Sequence, residues 1–299
     1  MRLILHIGLH KTASTAFQTL CRDNAAALGA SGVFWRVHDG YPAHHDEAWS
    51  LLRGEAGAIS DYVAEARAAG AQTAILSSEE LDYVLHVPQK ALAMEAEARD
   101  AGVTDVIWAA ALRRPSEAFR SHISELTKHG IHLDPLQGYL EIMRSGGLHF
   151  TGRHNGGAQF WNWYFTFDYD RYVTRLRDTV PGQVLAYDYH GGHRLPGAPV
   201  LRAAAPEDPG LLDALTAPGR VNARLPEEAI TANLASILRA HGHVEAEIAT
   251  VIGARAVAMA QAESTGADAV IDAGLDARFG DYAHLLGYGA AEKPVLEEV

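Results

Sequence analysis

A single cysteine, Cys21, occurs in the 299 residues of the chain. An intrachain disulfide framework is therefore excluded, so we expect a cytoplasmic protein in which Cys21 is a small buried residue of the first helix. Long hydrophobic runs are lacking too. The apolar segment 3–7 is only a few residues long and contains His6. Because this segment is too short for a signal peptide or a membrane span, we interpret it as a strand and expect no membrane insertion.

Positive charge is also scarce, since the formal net charge is −12. A negative chain repels nucleic acid and anionic membranes, so we expect neither partner, and any anion-binding site must be local. Histidine, in contrast, is abundant, with 16 residues. The cluster of His38, His44 and His45 fits no metal-ligand spacing, so we expect solvated loop histidines and no metal.

Alternating apolar strands and helical patterns predict an α/β fold. The strands are predicted at 3–7, 73–77, 103–112 and 183–187, with a short extended piece at 33–37. Such alternation favours a mostly parallel central sheet of four to five strands covered by helices on both faces. We predict a single domain, 1–299, in which 1–190 form the α/β core. A loop is predicted at 146–157, a flexible Gly/Pro-rich crossing at 191–218, and a helical C-terminal layer beyond it.

The first strand leads into a loop and then a helix, and this loop is the principal candidate site. It carries Lys11 together with the hydroxyls of Thr12, Ser14 and Thr15. Backbone N–H groups at a helix N-terminus favour an anion, and Lys11 adds a full charge. The Gly-Lys-Ser/Thr of nucleoside triphosphate loops is missing. Ala13 predicts an ordinary backbone conformation at its position.

Two further strand ends carry chemistry. Arg113 follows the third strand, and Ser121 lies eight residues on, about two helical turns away. A guanidinium fork and a hydroxyl suit a terminal phosphate. Glu79 follows the second strand, where a carboxylate can remove a proton from an acceptor hydroxyl, and Glu80 is the fallback. His10 and His86 are lesser candidates for this base.

The spacing Gly-x-x-Lys-Thr-x-Ser-Thr resembles the 5′-phosphosulfate loop of the sulfotransferases, and Arg-x-Pro with a later serine resembles their 3′-phosphate element. The resemblance is closest to the bacterial and carbohydrate-type branch. It implies a P-loop-type three-layer sandwich that uses 3′-phosphoadenosine 5′-phosphosulfate as donor, without a metal. It also implies roles for individual residues: Lys11 and Glu79 in catalysis, and His10, Lys11, Thr12, Ala13, Ser14, Thr15, Arg113 and Ser121 in donor binding.

The acceptor is left open by the sequence. Loops 38–49 and 146–163 are long and aromatic, and Tyr41, Trp161 and Trp163 can stack on a sugar or aryl acceptor. The resemblance implies in-line transfer of a sulfuryl group to a hydroxyl or an amine of a glycan or small molecule. Two alternatives stand beside it, an ATP-dependent small-molecule kinase and a catalytically inactive nucleotide-binding protein. Homo-oligomerisation also stays open.

Overall fold

A computed structural model describes residues 1–128, 131, 133–153, 160–219 and 226–289. These residues form two compact units. The first unit contains the described residues within Met1–Leu112, His149–Val221 and Tyr282–Val299, and the second contains those within Arg113–Leu148 and Asn222–Asp281. The single-domain organisation predicted from the sequence stays a prediction.

The elements alternate along the first 112 residues as the sequence predicts. They are β1 (Arg2–Ile7), α1 (Ser14–Asp23), α2 (Ala25–Ala30), β2 (Val33–Phe34), α3 (His45–Arg53), α4 (Ala58–Ala68), β3 (Thr73–Ser78), α5 (Tyr83–His86), α6 (Pro88–Asp100) and β4 (Asp105–Leu112). The later elements are α7 (Pro115–Lys128), α8 (Pro135–Ser145), β5 (Gly147–Arg153), β6 (Phe160–Thr166), α9 (Tyr169–Thr179), β7 (Gln183–Asp188), α10 (Ala198–Ala204), α11 (Leu211–Ala214), α12 (Glu227–Ala240), α13 (Glu245–Thr265), α14 (Ala267–Phe279) and β8 (Gly287–Gly289). Two short 3₁₀ turns, Glu79–Asp82 and Ala283–Leu285, complete this part of the chain.

A six-stranded sheet in the order β2-β3-β1-β4-β7-β8 forms the centre of the first unit. The strands β2, β3, β1, β4 and β7 are parallel, and β8 is antiparallel to β7. The predicted parallel sheet flanked by helices is confirmed, but four to five strands is too few. The sixth strand was missed because three residues, two of them glycine, carry no strand signal.

The position of β1 makes its carboxyl end a natural ligand site. The chain leaves β1 toward β2 on one side of the sheet and leaves β4 toward β7 on the other. The connections therefore diverge between β1 and β4, and ligands of open α/β sheets bind outside the carboxyl ends of strands at such a point. The loop after β1 lies there.

Both faces of the sheet are covered by apolar side chains. On one face, Leu3 and Leu5 of β1 pack with buried residues of α3, α4, α6 and α9. On the other, Ile4 packs with Phe17 and Cys21 of α1 and with residues of α2, α10 and α11. Because successive side chains of a strand point to opposite faces, burial on both faces gives the continuous apolar runs seen in the sequence.

Two segments that the sequence analysis assigned to loops contain regular structure. The stretch predicted as a loop at 146–157 includes β5, which pairs with β6 in a two-stranded sheet. The crossing predicted as flexible at 191–218 includes α10 and α11, which bury Val200, Leu201 and Leu211. Glycine and proline residues concealed these short elements. In the case of α10, stability comes from packing on β1 and β3 rather than from local propensity.

The second unit consists of helices. In it α14 packs against α7 and α8, α12 packs against α7, and α13 packs against α12 and α14. The predicted C-terminal helices are therefore present, as α12, α13 and α14. Packing of this layer on the sheet stays a prediction.

Candidate functional site

The loop between β1 and α1, residues 8–13, is closed by its own backbone. The N–H of Leu9 donates to the carbonyl of Ile7 at 2.8 Å, and the N–H of Thr12 donates to the carbonyl of Leu9 at 3.2 Å. The Thr12 hydroxyl donates to the same Leu9 carbonyl at 2.6 Å. In this state the Thr12 hydroxyl hydrogen therefore stabilises the loop rather than pointing to a ligand.

Two residues of the loop adopt the left-handed backbone conformation. Lys11 has φ 66° and Ala13 has φ 59°, and among the described residues they are the two with positive φ that are not glycine. The expectation of an ordinary conformation at Ala13 is wrong. The turn from β1 into α1 imposes a left-handed residue there, although alanine pays about 1–2 kcal/mol for it. Left-handed strain in residues other than glycine concentrates at functional sites.

The start of α1, next to the loop, has backbone N–H groups without acceptors inside the helix. The N–H of Phe17 donates to the Ala13 carbonyl at 3.0 Å, so the helix begins at Ser14. Ser14, Thr15 and Ala16 therefore have N–H groups in the first turn, where no acceptor within the helix is available. No side chain caps this end. With alternating left-handed residues and Lys11 beside it, this end favours an anion.

Gly8 lets the loop pack closely on the neighbouring strand end. Its N–H donates to the Ser78 carbonyl at 3.2 Å. A Cβ atom on Gly8 would lie 2.9 Å from the Cβ of Ser14 and 3.4 Å from the N of Glu79. Only glycine fits without displacing the start of α1 or the turn after β3.

The Glu79 carboxylate is held against α1 by two donors. Ser14 Oγ donates to Oε1 at 2.5 Å, and Gln18 Nε2 donates to Oε2 at 3.0 Å. His45 Nε2 lies 3.8 Å from Oε2, and the Glu79 side chain is 13% exposed. Burial opposes ionisation, but His45 and the hydrogen bonds from Ser14 and Gln18 together hold the pKa of Glu79 below its usual range. Glu79 is therefore an ionised carboxylate and a weak base.

Glu80 has the opposite electrostatic character. Burial raises its pKa despite a hydrogen bond from Trp49, and the neighbouring Glu79 charge raises it further. Its N–H donates to Ser78 Oγ at 3.1 Å, which fixes the first turn after β3. Of the two carboxylates, Glu80 is thus the stronger base.

Aromatic rings contact His45, which faces Glu79, and His10 of the loop. His45 stacks on Trp49 at 5.8 Å between ring centroids and contacts Tyr41 edge-on at 5.7 Å. Tyr41 is 67% exposed and Trp49 41%. On β6, Trp163 and Phe165 lie 6.4 and 5.0 Å from the ring of His10. The loops predicted to receive an acceptor thus place Tyr41 and Trp163 near the residues 8–13 and 79–80, whereas the Trp161 side chain lies outside the described residues.

His44, expected to be solvated, is buried. Its Nδ1 accepts the Ser77 N–H at 3.0 Å, so its Nε2 carries the proton that is donated to the Arg36 carbonyl at 2.9 Å. Burial lowers its pKa to about 4. The sequence prediction was wrong for this residue because its partners are backbone groups of distant segments. Among the described residues, no three His, Cys, Asp or Glu side chains are grouped so as to hold a metal ion.

His86, a lesser candidate for the base, lies in a separate polar cluster. Its Nε2 is 2.9 Å from Thr166 Oγ1, and Thr166 donates to Asp82 Oδ1 at 3.0 Å. Burial lowers the pKa of His86 to about 4 and raises that of Asp82 to about 8. The second oxygen of Asp82 is buried with no hydrogen-bond partner. Sequence analysis did not single out Asp82.

A cleft of about 380 Å³ opens beside the loop on the β7 side. Its wall is formed by the loop, by the carboxyl end of β7 and by the segment before α10, including Thr12, Ala13, Tyr187, Asp188, Tyr189, His190, His193 and Arg194. Sequence analysis missed this cleft. The rule that ligands lie outside the carboxyl ends of parallel strands applies to the fourth predicted strand as well, and it was the available signal.

The second predicted phosphate element, Arg113 and Ser121, belongs to the second unit, whereas the loop 8–13 belongs to the first. Arg113 Nε lies 3.3 Å from Glu117 Oε2, one helical turn on, and its side chain is largely buried. The N-terminal end of α7 is capped by Asp276, which accepts from the Ser116 N–H at 3.1 Å and from the Ser116 hydroxyl at 2.8 Å. Phosphate binding by Arg113 and Ser121 stays a prediction.

Comparison of the chain with protein-family models, with curated proteins and with solved structures found no match. Function must therefore be argued from the residues themselves. In the described part of the chain, no helix is long and apolar enough to cross a membrane.

Proposed function

We propose that the protein is a sulfotransferase that moves a sulfuryl group from 3′-phosphoadenosine 5′-phosphosulfate to a hydroxyl of a glycan or small molecule. The observation that carries the proposal is the loop 8–13. It combines the charge of Lys11, the left-handed backbone of Lys11 and Ala13, and the uncapped start of α1 at the carboxyl end of the central strand. That combination suits the phosphate of an anionic donor, and a P-loop-type fold is part of the proposal.

In the proposed reaction the acceptor oxygen attacks the sulfur in line with the leaving 5′-phosphate. A new S–O bond forms, the bond between the sulfur and the bridging oxygen breaks, and adenosine 3′,5′-bisphosphate leaves. Lys11 neutralises the charge that develops on the bridging oxygen, while the N–H groups of Ser14 and Thr15 bind non-bridging oxygens. No step requires a covalent enzyme intermediate.

The acceptor proton passes to a carboxylate at the end of β3. Glu79 was the first candidate from the sequence, but its carboxylate is ionised and hydrogen-bonded to Ser14 and Gln18. The raised pKa of Glu80 makes it the better proton acceptor. We therefore assign proton transfer to Glu80 and give Glu79 the task of holding Ser14 at the start of α1.

The cleft beside the loop supplies room for the nucleoside part of the donor. Its volume of about 380 Å³ falls within the range of small-molecule pockets. The rings of Tyr189 and His190, 4.6 Å apart, line it and offer surfaces against which a base can pack. The acceptor is received on the other side of the loop, by Tyr41, Trp49 and Trp163.

Calorimetric titration tests the proposal with adenosine 3′,5′-bisphosphate, adenosine 5′-phosphate and ATP with magnesium. We expect selective micromolar binding of the bisphosphate. Lys11→Ala should weaken it about tenfold to a hundredfold, the value of a charge-assisted hydrogen bond. Lys90→Ala, which removes the same charge from α6, is the matched control and should bind like the wild type.

The three nucleotides distinguish the proposed donor site from the kinase alternative. Equal binding of all three nucleotides would contradict the proposal, and preference for ATP with magnesium would establish the kinase alternative. Arg113→Ala tests the second phosphate element: it should weaken the bisphosphate but leave adenosine 5′-phosphate unchanged. Equal losses for both would remove Arg113 and Ser121 from the site.

A further inference from the structure

A chain of buried polar side chains runs beneath the loop 8–13, from the cleft to Glu79. His6 of β1 is its centre: Nε2 lies 2.9 Å from the hydroxyl of Tyr187, and Nδ1 lies 2.7 Å from Ser77 Oγ. His6 is 1% exposed. Burial of a polar group without a hydrogen bond destabilises the fold. The two side-chain partners of His6 therefore satisfy both ring nitrogens and hold the ring in one orientation.

The chain continues from Ser77 to the carboxylate. Gln18 uses one amide group for two bonds, because Nε2 donates to Ser77 Oγ at 3.2 Å and to Glu79 Oε2 at 3.0 Å. Ser14, four residues earlier on α1 and so on the same helix face, donates to Glu79 Oε1. The order is therefore Tyr187, His6, Ser77, Gln18, Glu79 and Ser14.

On one face of the sheet, strand β4 leaves room for this chain of side chains. His6 and Tyr187 are on β1 and β7, which are separated by β4. On their face, β4 carries Ala109 opposite His6 and Ala111 opposite Tyr187. Because both intervening side chains are single methyl groups, the imidazole and the phenol meet above β4. A larger residue at Ala109 would fill this space.

Tyr187 also lines the cleft beside the loop. The two ends of the chain thus reach the two places that the proposed function uses, the nucleoside cleft and the start of α1. We propose that His6 is a positioning residue that links Tyr187 at the cleft to the Glu79 carboxylate, through Ser77 and Gln18, and so fixes the geometry of the loop. The role of this link in donor binding rests on the proposed function, but the hydrogen bonds that form the link are present without a ligand.

At the Glu79 end of this chain of side chains, Gln18 Nε2 and Ser14 Oγ both donate to the carboxylate. Burial lowers the pKa of His6 to about 4, so its ring is neutral, donating at one nitrogen and accepting at the other. Loss of the Tyr187 hydroxyl frees the ring to turn. Ser77 and then Gln18 lose their fixed orientation, and the Glu79 carboxylate loses part of a donor that favours its ionised form.

The test is a carbon-13 carboxyl titration of Glu79 by NMR on the full chain without ligand, with the signal assigned from its absence in Glu79→Gln. Tyr187→Phe, which removes only the hydroxyl, should raise the pKa of Glu79 by on the order of half a unit. Ser77→Ala breaks the chain one step nearer and should raise it at least as much, which keeps the test decisive if Tyr187→Phe does not fold.

The matched control is Tyr62→Phe. Tyr62 is also buried in the first unit, but its hydroxyl donates to the Ile75 carbonyl at 2.6 Å, outside the chain of side chains. It should leave the titration of Glu79 unchanged. Equal shifts in Tyr62→Phe and Tyr187→Phe, or no shift in Tyr187→Phe and Ser77→Ala, would overturn the positioning role.

Calorimetry with adenosine 3′,5′-bisphosphate on the wild type separates this inference from the proposed function. If the bisphosphate binds and Glu79 titrates alike in all variants, the proposed function stands and the positioning role fails. If Glu79 shifts as expected and the bisphosphate does not bind, the positioning role stands and the donor must be of another kind.

Discussion

The polar groups behind the loop 8–13 in the first unit and the Arg120–Asp272 ion pair in the second differ in their exposure to solvent. In the first, the polar residues behind the loop 8–13 are buried: His6, Gln18 and Ser77 are each at most 1% exposed. In the second, the ion pair between Arg120 and Asp272 lies toward solvent: Arg120 contacts Asp272 through two nitrogens and is 48% exposed. Water competes for the second kind of contact and not for the first. Substitutions should therefore destabilise the fold strongly among the buried groups of the candidate site and only weakly at this exposed ion pair.

The largest expected effect concerns acid. The pKa values of buried His6 and His44 are lowered to about 4 from the ordinary 6.5, so the unfolded chain binds more protons between these values. Their contribution is fully present above pH 6.5 and is lost as the pH falls toward 4, by about 3 kcal/mol for each histidine. Urea unfolding over this range should show the loss.

Matched variants locate the acid effect in the first unit. His44→Gln keeps one acceptor and one donor for Ser77 and Arg36 but cannot be protonated, so the stability of this variant should fall less with acid. His243→Gln removes an exposed histidine of the second unit that pairs with Glu247, and it should follow the wild type. If both variants reduced the pH dependence of stability equally, the acid effect could not be assigned to the first unit.

The second prediction concerns Asp82. Burial raises the pKa of this residue to about 8 from the ordinary 3.8. The folded chain therefore holds a proton that the unfolded chain loses, so the contribution is fully present below 3.8 and declines as pH rises to 8. Between about pH 7 and about pH 8, above the range in which the contributions of His6 and His44 change, the wild type should lose about 1 kcal/mol of unfolding free energy. Asp82→Asn, which stays neutral, should remove this decline.

The control for this prediction is Asp272→Asn in the second unit. It removes a carboxylate from an ion pair whose partner is half exposed. The decline over the same pH range should persist in this variant. A decline that also persists in Asp82→Asn would mean that Asp82 is ionised in the fold, against its burial and its unpaired oxygen.

How far the sequence leads can be judged from particular residues. The apolar run before Gly8 and the hydroxyls after Lys11 predict strand, loop and helix, because these signals are local. The position of Glu79 directly after a strand was predicted because a strand end is visible as the last residue of an apolar run. These predictions succeed where one short segment determines the outcome.

Other features depend on register between distant strands. The hydrogen bond between His6 and Tyr187 requires Ala109 to lie between them, and no local pattern aligns β1, β4 and β7. The left-handed Ala13 also carries no signal, since alanine favours the ordinary helical region and the turn overrides this preference. The cleft was missed because its wall joins the loop 8–13 to a segment almost 200 residues away.

The third prediction uses the backbone strain of the loop. Ala13→Gly removes the steric cost of φ 59° and should raise the unfolding free energy by on the order of 1 kcal/mol, after allowance for the greater entropy of unfolded glycine. Ala16→Gly, three residues on in α1, is the matched control. Its backbone is helical, so the same substitution should lower stability by about 1 kcal/mol. Loss of stability in both variants would argue against a strained Ala13.

The smallest expected effect is that of the Arg120–Asp272 pair. A double-mutant cycle with Arg120→Ala and Asp272→Ala should give a coupling below about 1 kcal/mol, because the side chains are 48% and 27% exposed and solvent screens them. The coupling should also decline at high salt. The same cycle on Gln18→Ala and Glu79→Ala should give a larger and less salt-dependent value, since that pair is shielded from water. A larger coupling for the exposed pair would reverse the order, and it would mean that the two-pronged geometry of Arg120 matters more than burial.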